Sequence, residues 1–309
     1  MIDSYNRKIN YLRISLTQRC NYKCIYCHPN PTDIPIDSKI IIRFINILST
    51  LGIEHIRFTG GEPLIRKDIL NIIEQTRKID LIKSINITSN GSLLDDMAPS
   101  LLKAGTTGLN ISIDATDKNL YSLLSGGHNI DTVIEALKKS LDVGLNVKIN
   151  SVLLNKYWKE QVDQLFELGK EYDIPLKFIE LMPIGLAVNY KGVSSDQVIP
   201  YLKSKFGEPI KSEIEGNGPA NYMNFGGVNF GFIDALSHNF CSDCNRLRLL
   251  SNGDIKLCLY QNPSCNVIDM INLSDLEIKN IFTKIIQEKN EHHNLNEQSI
   301  ELSMASIGG

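Results

Sequence analysis

Apolar residues run along this chain in short bursts separated by longer amphipathic stretches. Six bursts have the length and content of strands: INYLRISL (9–16), HIRFT (55–59), SINITS (84–89), GLNISID (108–114), LNVKINSVL (145–153) and PLKFIEL (175–181). Between them the apolar positions follow helical spacing. In KIIIRFINILSTLG, Ile41, Phe44, Ile45, Leu48 and Leu51 share one face and Gly52 marks a stop. DTVIEALKKSLDVG reads the same way, with Asp131 as the cap and Gly144 as the end. Strands alternating with helices at this spacing predict parallel pairing through right-handed crossovers. The expected fold is α/β: a partial (βα)6 TIM-type barrel over residues 1–220, with a smaller C-terminal domain over 221–309. A doubly wound sheet is the alternative.

Barrels carry their sites at the C-terminal ends of the strands, and here each end is polar. The first strand leads into CNYKCIYC, the second into GGEPLIR and the third into SNG. Ser112 and Asp114 end the fourth, Lys148 and Asn150 lie in the fifth, and the sixth runs into IELMP. Six such ends point to an active site rather than a structural barrel.

Composition narrows the classes. Of 309 residues, 42% are hydrophobic and 22% charged, as in a globular protein with a sizeable core. A net charge of −3 argues against general affinity for nucleic acid or acidic membrane. MIDSYNRKIN lacks the apolar centre of a signal peptide, and no apolar run reaches the length of a membrane span. A cytoplasmic location is expected, where clustered cysteines serve as metal or redox groups rather than disulfides.

Six of the seven cysteines form two triplets, Cys20, Cys24 and Cys27 near the start and Cys241, Cys244 and Cys258 near the end. Thiolates suit zinc or iron–sulfur clusters. Zinc in a structural site takes four ligands, and His28 or His238 could complete one. Three thiolates on a cubane leave one iron open to a non-protein ligand. In NRLRLL, period-two alternation puts Cys244, Arg246 and Arg248 on one face, an arrangement suited to an anion, since arginine forks match phosphate oxygens. Cys265 fits neither triplet and reads as a packed thiol.

The C-x3-C-x2-C spacing with GGEP (Gly60 to Pro63) resembles the radical S-adenosylmethionine (SAM) superfamily. YLRISLTQRCNYKCIYC, IRFTGGEPLIRKD, GLNISIDA, KFIELMPIG, GNGPANY, FGFIDALSHNFCSDCNRLRLLSNGDIKLCL and the terminal IGG are similar, in order, to segments of the GTP 3′,8-cyclases. That family opens molybdenum cofactor biosynthesis. The resemblance implies two 4Fe–4S clusters, one on Cys20, Cys24 and Cys27 with SAM, the other on Cys241, Cys244 and Cys258 with the guanine end of GTP. It implies SAM contacts at Tyr26, Gly61, Ser112 and Met182, and GTP contacts at Arg13, Arg57, Thr88, Lys148, Arg246 and Arg248. The C-terminal domain would hold the second cluster and the GTP site, and Gly308 and Gly309 would enter the site and act in catalysis. The implied reaction is hydrogen removal from C3′ of GTP by a 5′-deoxyadenosyl radical and closure onto C8. Its product is (8S)-3′,8-cyclo-7,8-dihydroguanosine 5′-triphosphate. An electron donor, hand-over of product to the cyclic pyranopterin monophosphate synthase and a homodimeric assembly are the implied partners, with no nucleic acid and no membrane. Three positions depart from the family's usual residues: Lys177 for arginine, His28 for methionine and His55 for lysine. Another two-cluster radical SAM enzyme, and a zinc-stapled binding module, are the competing readings.

Overall fold

The computed structural model describes residues 1–27, 32–214 and 216–293. Six strand–helix units come first. They are β1 (Tyr11–Ser15) with α1 (Ser38–Thr50), β2 (His55–Thr59) with α2 (Ile69–Arg77), and β3 (Ser84–Ser89) with α3 (Leu94–Ala104). Next come β4 (Gly108–Ser112) with α4 (Lys118–Ser125) and α5 (Ile130–Asp142), β5 (Val147–Val152) with α6 (Trp158–Tyr172), and β6 (Leu176–Ile179) with α7 (Ser195–Phe206). The chain continues through β7 (Ile210–Lys211), β8 (Asn221–Phe225), β9 (Val228–Ile233), β10 (Arg246–Leu249), β11 (Asp254–Lys256) and β12 (Cys265–Asn266) to α8 (Asp275–Ile285).

Among the described residues twelve strands form one sheet in the order β12-β11-β10-β1-β2-β3-β4-β5-β6-β9-β8-β7. The run from β10 through β6 to β9 is parallel, and antiparallel strands finish both sides. The sheet does not close on itself, so the fold is a partial barrel. Sequence patterning anticipated the six units; β9 and β10, from the C-terminal part of the chain, extend the parallel run at both sides. Each edge ends in a two-residue strand, which limits unwanted pairing with another sheet.

Side chains alternate across this sheet. Leu12, Ile14, Ile56, Phe58, Ile85, Ile87, Leu247 and Leu249 face the helices and are buried in a single core. The alternate positions carry polar side chains, and parallel register lines them up from strand to strand. Arg248 stands opposite Arg13, Arg13 opposite Arg57, and Arg57 opposite Asn86. Further round, Asn110 stands opposite Lys148 and Asn150 opposite Lys177. Parallel sheets ordinarily bury apolar residues on both faces; this inner face is polar because it lines a cavity.

The helices follow local rules. Asp37 caps α1 by accepting from the Lys39 backbone N–H, and Phe44 of α1 meets Phe282 of α8 edge-on at 6.2 Å. The cap of α5 is Asn129, whose side chain accepts from Asp131 N–H, and not Asp131 itself. Both residues are good caps; the backbone turns helical two residues earlier than the apolar pattern suggests.

Candidate active site

A cavity of about 600 Å³ occupies the inside of the partial barrel. Its lining includes all sixteen described residues expected at the site: Cys20, Cys24, Cys27, Tyr26, Gly61, Ser112, Met182, Arg13, Arg57, Thr88, Lys148, Arg246, Arg248, Cys241, Cys244 and Cys258. Gly308, Gly309 and His28 lie outside the described residues.

Topology sets the two cysteine triplets apart. Cys20 follows the C-terminal end of β1, whereas Cys244 precedes the N-terminal end of β10, the parallel neighbour of β1. Thiol sets therefore leave adjacent strands at opposite ends. The five residues of β1 between them span roughly 16 Å at strand rise. The strand-end rule that located the first triplet does not locate the second.

At the first end, the GGEP loop and the cysteine loop touch backbone to backbone. The Gly61 N–H donates to the Thr17 carbonyl at 2.6 Å, and the Glu62 N–H to the Arg19 carbonyl at 2.9 Å. A Cβ on Gly60 would lie 2.3 Å from the Thr17 oxygen and one on Gly61 2.2 Å from the Arg19 oxygen. Only glycine allows that approach. Fully buried Glu62 accepts from the Leu64 N–H, the Asn90 N–H and the Ser89 hydroxyl, joining the ends of β2 and β3. Burial pushes its carboxyl up to about 7. Cys20 Sγ receives the Tyr22 N–H at 3.3 Å and Asn90 Nδ2 at 3.7 Å. Tyr26 donates to Asp114 at 2.5 Å, and burial raises the Asp114 carboxyl to about 6 against that bond.

In the middle lies a crowd of cations. Arg13, Arg57, Lys148, Lys177, Arg246 and Arg248 line the cavity, against Asp114 as the one carboxylate among its described lining residues. Burial, then Arg248 and Arg57, holds Arg13 well below the usual arginine range; burial, then Arg246, brings Arg248 to about 10. Like charges aligned across strands oppose folding, and an anion is the kind of ligand such a row suits. Arg57 Nε donates to the Tyr11 hydroxyl and its other arm reaches Thr88 Oγ1 at 3.4 Å. The Lys148 ammonium sits 5.0 Å over the Tyr222 ring.

At the second end, Arg7 donates to the Cys241 carbonyl at 2.7 Å and clamps the carbonyls of Asn290 and Glu291. Buried Lys289 donates to the Leu257 carbonyl. Burial opposes ionisation of Cys244, but Lys289 and Arg246 outweigh it and lower its pKa. The loop Gly216 to Ala220 covers this side of the cavity, tied by Asn217 to His55 at 3.2 Å.

Each triplet offers three thiols on the cavity wall, a donor set that fits an iron–sulfur cluster. Among the described residues zinc finds no such set: His238 is exposed and bonded to Asp196 at 2.9 Å. Among the described residues no three His, Cys, Asp or Glu side chains are placed to hold a single ion. Cys265 lies in β12 against the core, its thiol pushed up to about 12 by burial.

Residues that patterning did not single out are Tyr11, Asn110, Tyr222, Tyr260 and His293, all on the cavity wall. For Asn110 the signal was present: Asn110, Ser112 and Asp114 alternate with Ile111 and Ile113 at period two. Tyr11 shared that signal, alternating with Leu12 ahead of Arg13 in the first strand, whereas Tyr222, Tyr260 and His293 depend on loops or on a strand that joins the barrel from far along the chain.

Comparison with known proteins agrees with this geometry. The radical SAM superfamily profile matches residues 14–169, and the Molybdenum Cofactor Synthesis C profile matches residues 174–295. A GTP 3′,8-cyclase of Clostridium botulinum (strain Hall) is 38% identical, with both chains covered in full. One of Clostridium perfringens (strain 13) is 37% identical over 95% of this chain and 94% of its own. One of Alkaliphilus oremlandii is 36% identical over the full length of both. Among solved structures, Streptococcus suis SuiB bound to its precursor peptide SuiA superposes with a TM-score of 0.67 at 17% identity, covering 96% of this chain and 74% of SuiB, a likeness of fold. With two profiles covering residues 14–169 and 174–295 and relatives matched over 94% or more of both chains, this chain belongs to the GTP 3′,8-cyclase family of the radical SAM superfamily.

Proposed function

We propose that this protein converts GTP to (8S)-3′,8-cyclo-7,8-dihydroguanosine 5′-triphosphate, the first step of molybdenum cofactor biosynthesis. One observation carries the reading: a cationic row, Arg248–Arg13–Arg57, runs across β10, β1 and β2 between two triplets of thiols in one cavity. Cys20, Cys24 and Cys27 would hold the 4Fe–4S cluster that meets SAM; Cys241, Cys244 and Cys258 would hold the second. When bound, the first cluster and SAM supply the radical that takes hydrogen from C3′ of the ribose.

The chain's own part is placement. Arg13, Arg57, Lys148, Arg246 and Arg248, with Thr88, receive the triphosphate as charge-assisted hydrogen bonds. Their mutual repulsion in the free protein is relieved by that anion, so binding energy is concentrated where the nucleotide must sit. Tyr26, Gly61, Ser112 and Met182 are assigned to SAM. The Gly60–Gly61 approach to the cysteine loop brings backbone groups within reach of a ligand there. Gly308 and Gly309 are assigned to the catalytic step on resemblance.

Residues 1–220 are taken as the SAM-binding core and 221–309 as the part that adds the second cluster and closes the GTP site. An electron donor, transfer of product to the cyclic pyranopterin monophosphate synthase, a homodimer and a cytoplasmic location complete the proposal. Anaerobic incubation with SAM, reductant and each nucleoside triphosphate in turn tests it. Cyclised product is expected from GTP; SAM cleavage without it, from every nucleotide, would refute the reading.

A further inference from the structure

Beside the second cysteine triplet, the cavity wall carries two polar atoms with nothing to bond to. Tyr260 OH and His293 Nδ1 are both buried and have no hydrogen-bond partner among the described residues. Their rings lie 5.0 Å apart at 52°, and both residues line the cavity next to Cys241 and Cys258. A buried polar atom without a partner is costly, because it has given up its hydrogen bonds to water and gained none in return. Two of them on one cavity wall mark a surface that a ligand completes.

The neighbours fix which partner each atom seeks. His293 Nε2 lies 3.2 Å from the Ala235 carbonyl oxygen, which can only accept. The neutral ring must therefore carry its proton on Nε2, leaving Nδ1 a bare acceptor. The tyrosine hydroxyl can donate. An acceptor beside a donor matches a purine that presents an amino group near a carbonyl oxygen. Guanine does so, with N2–H and O6; adenine lacks the oxygen and hypoxanthine lacks the amine.

We propose that His293 and Tyr260 read the guanine base, His293 Nδ1 accepting from the exocyclic N2 amine and the Tyr260 hydroxyl donating to O6. The assignment rests on the cyclase reading above and adds the residues that select guanine. Position supports it: Cys258 is close by in sequence to Tyr260, and the backbone N–H of His293 bonds the Cys241 sulfur. The pair thus stands where the base end of a nucleotide would meet the second triplet when its phosphates lie on Arg13, Arg57 and Arg248.

Calorimetric binding of GTP, ITP and SAM to the anaerobic holoenzyme tests the proposal. Wild type should bind GTP about tenfold tighter than ITP, which lacks the amine. His293→Phe keeps the ring packing but not the acceptor, and should bring the GTP-to-ITP ratio close to one, with iron content and SAM affinity unchanged. His293→Gln, which restores an acceptor, should recover part of the ratio. Tyr260→Phe should weaken GTP and ITP alike, since both carry O6. Equal affinity of wild type for GTP and ITP would overturn the proposal, and needs no variant. So would a His293→Phe enzyme that keeps the full preference, or one that loses SAM binding instead. Should the histidine variants lose iron, the wild-type ratio and the Tyr260→Phe pattern decide. Wild type that neither binds GTP nor forms cyclised product would defeat the cyclase reading itself; cyclisation without base preference defeats only this inference.

Discussion

Lys177 on β6 reaches across β5 to place its ammonium 2.5 Å from the side-chain oxygen of Asn110 on β4. It is 6% exposed, and burial, followed by Arg57, Lys148, Arg13 and Arg246, holds its pKa well below the usual lysine range. A bound triphosphate would favour the charged form. On raising pH, free protein loses the Lys177 proton before the GTP complex does, so affinity falls as pH climbs through the free-state pKa. Binding measurements at rising pH, kept below the usual lysine range, should show a steeper loss of GTP affinity in wild type than in Lys177→Met. Parallel slopes would place Lys177 away from the phosphates.

Arg57 and Arg246 flank the same residue, with guanidinium carbons each 5.9 Å from the Tyr11 ring centre. Replacing either by alanine should weaken GTP binding by about 1.5–3 kcal/mol, the range for hydrogen bonds to charged groups. Guanosine, without phosphates, should bind wild type and variants equally poorly. Because both arginines share Tyr11, the double variant should lose less than the sum. Calorimetry with the two ligands reads all three outcomes.

The two thiol triplets should separate in function as they do in space. Cys24→Ala should abolish SAM cleavage, since a cluster held by three thiolates loses one of them. Cys244→Ala should retain some uncoupled SAM cleavage and form no cyclised product. Iron content and 5′-deoxyadenosine release, measured together, distinguish the two; normal SAM cleavage by Cys24→Ala would reverse the assignment.

Glu62 should give the fold a pH dependence. Its carboxyl ionises near pH 7 in the folded chain, against 4.5 when unfolded, because burial disfavours the charge. The folded state therefore holds an extra proton between those values. Its stabilising effect is complete below about pH 4.5 and is lost as pH rises through 7, on the order of 3 kcal/mol in all. Between about pH 5.5 and about pH 8, urea unfolding should show a loss of stability larger by about 2 kcal/mol in wild type than in Glu62→Gln, the part of the effect that falls in that window. An equal difference in both would assign the dependence elsewhere.

Local chemistry made much of the site legible. Period-two alternation put Arg246 and Arg248 on one face with Cys244, and the structure keeps all three on the cavity wall with Leu247 and Leu249 in the core. His55 to Thr59 and Ser84 to Ser89 form strands over the full predicted lengths. The other four strands are shorter than their apolar runs, because side-chain pattern continues past the last ladder hydrogen bond. Tyr260 and His293 gave no comparable signal: they lie outside the regular strands and helices, where no period says which way a side chain turns.

The sequence by itself determined the strand–helix alternation, the inward and outward faces of each strand, and which residues could ligate metal or bind phosphate. These depend on the geometry of the local backbone and on side-chain chemistry, both written in neighbouring residues. Only tertiary structure decided register and strand order. Arg13 meets Arg57 on one side and Arg248 on the other because β10, 235 residues downstream, pairs in parallel with β1. That pairing also sends the second cysteine triplet to the opposite end from the first. Such contacts arise from burying the outer faces of all the strands against the helices at once, a collective requirement that no single segment of the chain records.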